Sequence, residues 1–306
     1  MKVPKKYYYY LAFIVLAAVY IVASLFEPLA PNRFRLTPAR THELQLTFLL
    51  PIVVIWAAAA FGAERFQNYT DRIKTDKDGA TLSQISTGLV LLAAAIIISG
   101  LFGVLRGWAL KDGWLSAYTI ASNYISALLP LIAFAFIFAG SQKLRRLVKV
   151  PPQAGVGSII LTIGLVAVAI VYVVVLTRYQ YANATPDPAK YSSYYMSDPL
   201  VLLSLALPYL AGWGLAIKAI LNIHLYRRQV KGVIYKAALA RLAIGLAVVI
   251  SFYVLVQLLV AFSAYLATAS LTSLLVLVYL LIIIYGIGFV LIALGANKLT
   301  DIEKVY

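Results

Sequence analysis

Six residues in the second half of the chain could do chemistry together. Lys218, Asn222, His224, Arg227 and Arg228 fall within eleven positions, and Arg241 follows thirteen residues later. Lys218 and Asn222 are four apart, so on a helix they share a face. Cationic side chains beside an amide and an imidazole are the groups that hold a phosphate or a carboxylate. The pattern points to an anion or lipid-phosphate site. The competing reading is a lysine that snorkels to the interface beside a solvated basic loop, and it takes precedence on sequence grounds.

A second constellation could gate. Pro51, Trp56 and Tyr69 recur with the same gaps as Pro208, Trp213 and Tyr226, 157 residues later, in a chain with only four Trp. Two prolines kinking helices beside two aromatic plugs would make a pair of gates. Packing of the indoles, with Tyr69 and Tyr226 anchored in the headgroup zone, explains the same residues and is preferred.

Most other chemistry is excluded. The chain has no Cys, which removes disulfides, thiolate nucleophiles, CxxC zinc sites and iron–sulfur ligation. Its two histidines, His42 and His224, are expected on opposite sides of a membrane, so neither paired haem ligation nor a multi-histidine zinc site fits. HExxH, P-loop, GxGxxG and GxSxG patterns are absent. No Asp, Glu or Arg stands near the middle of any apolar run, which argues against a midplane proton carboxylate and a voltage sensor. No catalytic set, cofactor or metal is expected, and the reading is non-enzymatic.

The elements that must carry these residues are membrane spans. The chain is 63% hydrophobic and 12% charged, with mean hydropathy +0.90; a soluble domain carries about twice that charge. Eight apolar runs stand at roughly 7–29, 45–63, 86–108, 117–140, 155–178, 199–222, 237–265 and 270–296, each long enough to cross about 30 Å of hydrocarbon as a helix. Unpaired backbone is not tolerated in lipid, so all eight are predicted to be helical. Lys and Arg concentrate at the N-terminus, in the solvated inner loops expected at 64–85, 141–153 and 223–236, and at the C-terminus, which predicts both termini in the cytoplasm of a multi-pass cell-membrane protein. The net charge of +15 is mostly this bias. The expected partners are therefore the bilayer and anionic headgroups at the cytoplasmic face, with no nucleic acid. Residues 64–79 hold four basic and four acidic groups, whereas 218–241 hold six basic groups and no acid.

The recurrence of Pro, Trp and Tyr extends further. At the same shift Lys74 meets Lys231, Leu82 meets Leu239, and Gly88-Leu89 meets Gly245-Leu246. Tyr20 matches Tyr172 at a shift of 152, and Gly140 through Lys143 matches Gly295 through Lys298 at 155. The expected fold is all-α: eight transmembrane helices as two tandem parallel four-helix repeats. Residues 1–141 form the first repeat, 142–154 a cytoplasmic linker broken by Pro151-Pro152, and 155–306 the second. Stripes of small residues, such as Ala57–Ala60 with Gly62, and Gly286, Gly288 and Gly295, would let helices approach closely. Asn123, Ser126, Ser251 and Gln257 are expected to bond neighbouring helices. The tyrosine-rich 179–198 segment reads as an interfacial aromatic belt. Two Met, six Asn and eight Gln are few, in keeping with a thermophilic source. The functional expectation is a protein that moves or binds a small solute or lipid between two repeats. The alternative is a structural or assembly subunit of a larger membrane complex; a monomer or homo-oligomer goes with the first reading.

Overall fold

The computed structural model describes residues 5–26, 38–72, 77–111, 115–147, 199–229, 233–261 and 271–303. Each stretch is one α-helix: α1 (Lys5–Phe26), α2 (Pro38–Arg72), α3 (Lys77–Lys111), α4 (Leu115–Leu147), α5 (Pro199–Gln229), α6 (Val233–Ala261) and α7 (Leu271–Glu303). The predicted span at 155–178 and the tyrosine-rich 179–198 segment lie outside the described residues.

Sequence explains several helix ends. α2 and α5 both open on a proline, Pro38 and Pro199, at the first helical position, where no backbone N–H is needed. α4 and α5 end with Arg145-Arg146 and Arg227-Arg228 in the last turn, where cations oppose the negative end of the helix dipole. α2 and α3 have 35 residues each, about 52 Å at 1.5 Å per residue. They exceed the hydrocarbon thickness, so their charged ends stay helical outside it. This corrects the expectation of a long 64–85 loop: only 73–76 separate α2 from α3. Glu, Arg, Gln and Ala are good helix formers, and nothing between Glu64 and Arg72 stops the helix. Likewise α4 continues to Leu147, so the first six residues of the expected 142–154 linker are helical.

The helices pack as a closed ring in the order α2, α3, α4, α5, α6, α7 and back to α2, with α1 laid against α2 and α3. The most extensive contacts are α3 on α4 and α6 on α7, followed by α4 on α5 and α7 on α2. A shared core fills the ring. It is built from Phe66, Leu82, Ile85, Leu89 and Leu92 on one side and Leu239, Leu242, Leu246, Phe289 and Ile292 on the other, all fully buried or nearly so.

Two glycines set the tightest crossings. A Cβ at Gly88 of α3 would lie 2.6 Å from the Ala133 carbonyl oxygen and closer still to Ile137 Cγ1 of α4. A Cβ at Gly245 of α6 would lie 2.7 Å from the Gly288 carbonyl oxygen and 2.8 Å from Ile292 Cγ1 of α7. Neither contact leaves room for a side chain, which is how small residues bring membrane helices together.

The outside of the ring is apolar. Ile14 on α1 is 60% exposed and Ile283 on α7 is 54% exposed, and Val276, Leu280, Ile287, Val290 and Leu294 continue the α7 face. Water would not tolerate so continuous a surface; lipid tails would. Among the described residues, four stretches are long and apolar enough to cross a membrane: Leu82–Phe102, Leu128–Arg146, Tyr235–Tyr253 and Tyr279–Leu299. The chain is an α-helical membrane-embedded bundle.

Candidate functional site

The cationic residues singled out from the sequence lie at one end of this bundle. Lys218, Asn222, His224, Arg227 and Arg228 occupy the last three turns of α5. Lys218 and Arg228 are exposed, His224 and Arg227 half-buried. Lys143, Arg145 and Arg146 lie at the same end of α4, which packs beside α5. This will be called the basic end.

Asn222 does not face outward with Lys218. It is 5% exposed, and its Nδ2 donates to Ser141 Oγ of α4 at 3.2 Å. Ser141, itself fully buried, donates to the Phe138 carbonyl at 2.7 Å. The amide thus joins α4 to α5 through a short chain of hydrogen bonds, in a setting where no water can substitute. Because both residues lie near the C-terminal ends of their helices, the bond also fixes α4 and α5 as parallel neighbours.

Arg241 comes from a different helix, one that packs beside α5. It is carried by α6, and its Cβ would lie 3.5 Å from a Cβ at Gly295 of α7. Its stem therefore packs on α7. The His224 imidazole is held below the usual histidine value, mainly by burial and then by repulsion from Arg228 and Arg227. At neutral pH it is uncharged and can accept or donate a hydrogen bond.

The prolines and tryptophans take up packing positions. Trp56 is 1% exposed. It sits tilted against Tyr20 of α1, with ring centroids 4.8 Å apart, and its Cζ2 fills the space where Gly100 of α3 lacks a side chain. Trp213 is 2% exposed. Pro208 lies inside α5 and is half-buried. Pro51 lies within α2, with its side chain outside the described residues. Tyr69 and Tyr226, expected in the headgroup zone, are instead buried among the core residues of the bundle; the Tyr69 ring lies tilted beside Phe66 of its own helix, with centroids 6.4 Å apart.

The expected interhelical polar contacts are partly replaced. Ser126 Oγ meets Ser99 Oγ of α3 at 3.5 Å. Ser251 instead bonds its own helix, donating to the Ala247 carbonyl at 2.8 Å, a backbone contact that competes with bridging. The side chains of Asn123 and Gln257 lie outside the described residues, as does His42.

Three features escaped the sequence reading. Pro130 sits buried inside α4. An aromatic cluster joins α4, α6 and α7: Phe134 to Tyr253 at 5.8 Å, Tyr253 to Tyr285 at 6.2 Å and Tyr285 to Phe289 at 5.0 Å. Glu64, assigned to a solvated loop, is 3% exposed within α2. The signal that could have found it is its setting: an acid one residue past an apolar run, in a stretch of good helix formers with no breaker. Among the described residues no group of three or more His, Cys, Asp or Glu could hold a metal ion.

No protein-family model, curated protein or solved structure matches the chain.

Proposed function

We propose that the chain is a non-enzymatic, multi-pass protein of the cell membrane that binds or moves an anionic solute or the phosphate headgroup of a lipid at its basic end. Eight spans in two parallel repeats, with both termini cytoplasmic, complete this reading. The observation that carries it is the charge at the end of α5. Lys218, Arg227 and Arg228 gather there with the cations of α4 beside them, and residues 218–241 contain no acid. An anion placed against this stretch of α5 meets Lys218, Arg227, Arg228 and the neutral His224, and guanidinium groups match phosphate oxygens in pairs.

The repeats are supported by paired contacts. Gly88 against Ala133 and Ile137 has its counterpart in Gly245 against Gly288 and Ile292, positions related by the same shifts of 157 and 155 that align the sequence. The ring order repeats as well, since α3 on α4 answers to α6 on α7 and α4 on α5 to α7 on α2.

The test is retention of a fluorescent phosphatidylglycerol, against phosphatidylcholine, by the purified protein. Wild type is expected to prefer the anionic lipid, and Arg227→Ala with Arg228→Ala to lose the preference; equal retention by both proteins refutes the site. Topology is read from a single cysteine placed in this cysteine-free chain. Lys231→Cys should resist a membrane-impermeant maleimide added outside intact cells.

A second reading, a structural or assembly subunit, is favoured by the ring's interior, where Phe66, Leu89, Leu246 and Ile292 leave the core closed by side chains. Stoichiometric partner chains after mild-detergent purification would select it.

A further inference from the structure

We propose that Glu64, with Asn68 and Arg65 of the same helix, forms a binding site for a small monovalent cation in the first half of the chain. Among the described residues Glu64 is the one buried acid. Asn68 Nδ2 donates to its Oε1, and Oε2 has no hydrogen-bond partner. The nearest cation is Arg65, whose Nε is 3.6 Å from Oε2, beyond hydrogen-bond length, on a side chain 46% exposed. That guanidinium is also engaged elsewhere: its carbon lies 4.9 Å above the centre of the Phe61 ring.

A carboxylate withdrawn from water needs its acceptor oxygens filled. Half of Glu64 is filled by Asn68. The other half faces a guanidinium that divides itself between an aromatic face, water and the carboxylate, a pairing that contributes little. A cation at Oε2 would meet a formal charge on an oxygen that no hydrogen bond occupies, on a carboxylate whose other oxygen Asn68 holds in place. Carboxylate and carbonyl oxygens are ligands for hard cations. One carboxylate matches one positive charge, and the lack of any three-acid cluster among the described residues speaks against a divalent ion.

The second half has no such set. At the positions 157 residues on, Glu64 is matched by Leu221, Asn68 by Leu225 and Phe61 by Lys218. The α5 helix folds and packs without the acid, so α2 does not need Glu64 for its structure. Arg65 then has a defined part: it is the tethered cation that an incoming ion must displace.

The test is thermal unfolding of the full chain in detergent at fixed ionic strength, with N-methylglucamine exchanged for sodium, potassium or methylammonium. The wild-type Tm is expected to rise saturably with an alkali ion or with the ammonium probe, as binding to the folded state requires. The ion that acts identifies the ligand. Glu64→Gln, which keeps the acceptor for Asn68 and removes the charge, should abolish the rise. Arg65→Ala should lower the half-saturating concentration, by up to about fivefold for loss of a half-exposed competing ion pair. Asn68→Ala keeps the carboxylate and should raise that concentration, which decides the matter should Glu64→Gln fail to fold. A wild-type Tm that follows ionic strength alone, a response that survives in Glu64→Gln, or an unmoved half-saturation in both Arg65→Ala and Asn68→Ala overturns the site.

Discussion

The helices α2 and α5 share a frame and differ in what it holds. The frame is the same in kind: Trp56 and Trp213 are sealed, Tyr69 and Tyr226 are buried, and Phe134 and Phe289 occupy core positions of α4 and α7. The contents are opposite. α2 buries an acid whose Oε2 makes no hydrogen bond. α5 buries a neutral amide whose partner, Ser141, comes from the next helix, and it turns its charges, all positive, outward. The lesson is that apolar and small residues carry the architecture, while polar residues at matched positions are free to diverge. Packing tolerates no change of volume, whereas a polar side chain need only find a partner or water.

The largest effect should come where the two halves are most alike. Gly88→Val and Gly245→Val each push a branched side chain into a carbonyl less than 3 Å away, and each should cost roughly 3 kcal/mol by forcing a helix pair apart. Unfolding of both variants in detergent checks this. Equal losses support a common frame, and a loss in one half alone would break the comparison.

A smaller effect is expected where the halves differ. Asn222→Ala removes the donor to Ser141 Oγ, which keeps its own bond to the Phe138 carbonyl, and should cost about 1 kcal/mol. A double-mutant cycle with Ser141→Ala should show that most of this cost is the coupling between the two side chains, the second substitution adding little to the first. Arg65, at the matched position of α2, is half-exposed, and Arg65→Ala should lower stability by less.

Lys218→Ala tests the outward charges. Lys218 is exposed, and one lysine near an anionic surface is worth about 1 kcal/mol at most. Retention of fluorescent phosphatidylglycerol should weaken by up to about fivefold, with stability unchanged. Phe61, at the matched position, carries no charge, and Phe61→Ala should leave lipid preference unaltered.

How much of this was legible follows the same division. The apolar runs and the spaced glycines gave helices, membrane and close crossings, because hydrophobicity and side-chain volume are local properties of a residue. Helix ends were misplaced at 64–85 because hydropathy reports where an apolar run stops, not where the helix stops, and α2 continues through Arg72. The burial of Tyr69 and Tyr226 was hidden for a related reason: a phenol suits either an interface or a core that offers its hydroxyl a partner. At the site, the grouping of Lys218, His224, Arg227 and Arg228 on one helix end followed from spacing. The withdrawal of Asn222 toward Ser141 could not be read, since it depends on which helix lies alongside. Glu64 was missed because its burial, like that of Asn222, belongs to the fold rather than to its neighbours in sequence.

The smallest effect concerns His224, and its sign is fixed by the surroundings. Burial and the two neighbouring guanidinium groups hold its folded value below that of a free imidazole, 6.5. Between that lowered value and 6.5 the unfolded chain binds more protons than the folded one, so stability rises with pH in this window and falls as the solution is acidified through it. Half-burial and solvent screening keep the slope shallow, and His224→Gln should flatten it. A bound anion reverses part of the shift by cancelling the repulsion of Arg227 and Arg228. Retention of phosphatidylglycerol should therefore strengthen on acidification in the wild type more than in His224→Gln. If acid weakened lipid retention in both proteins alike, the imidazole would have no place beside the anion, and the contrast between the two helix ends would rest on the arginines alone.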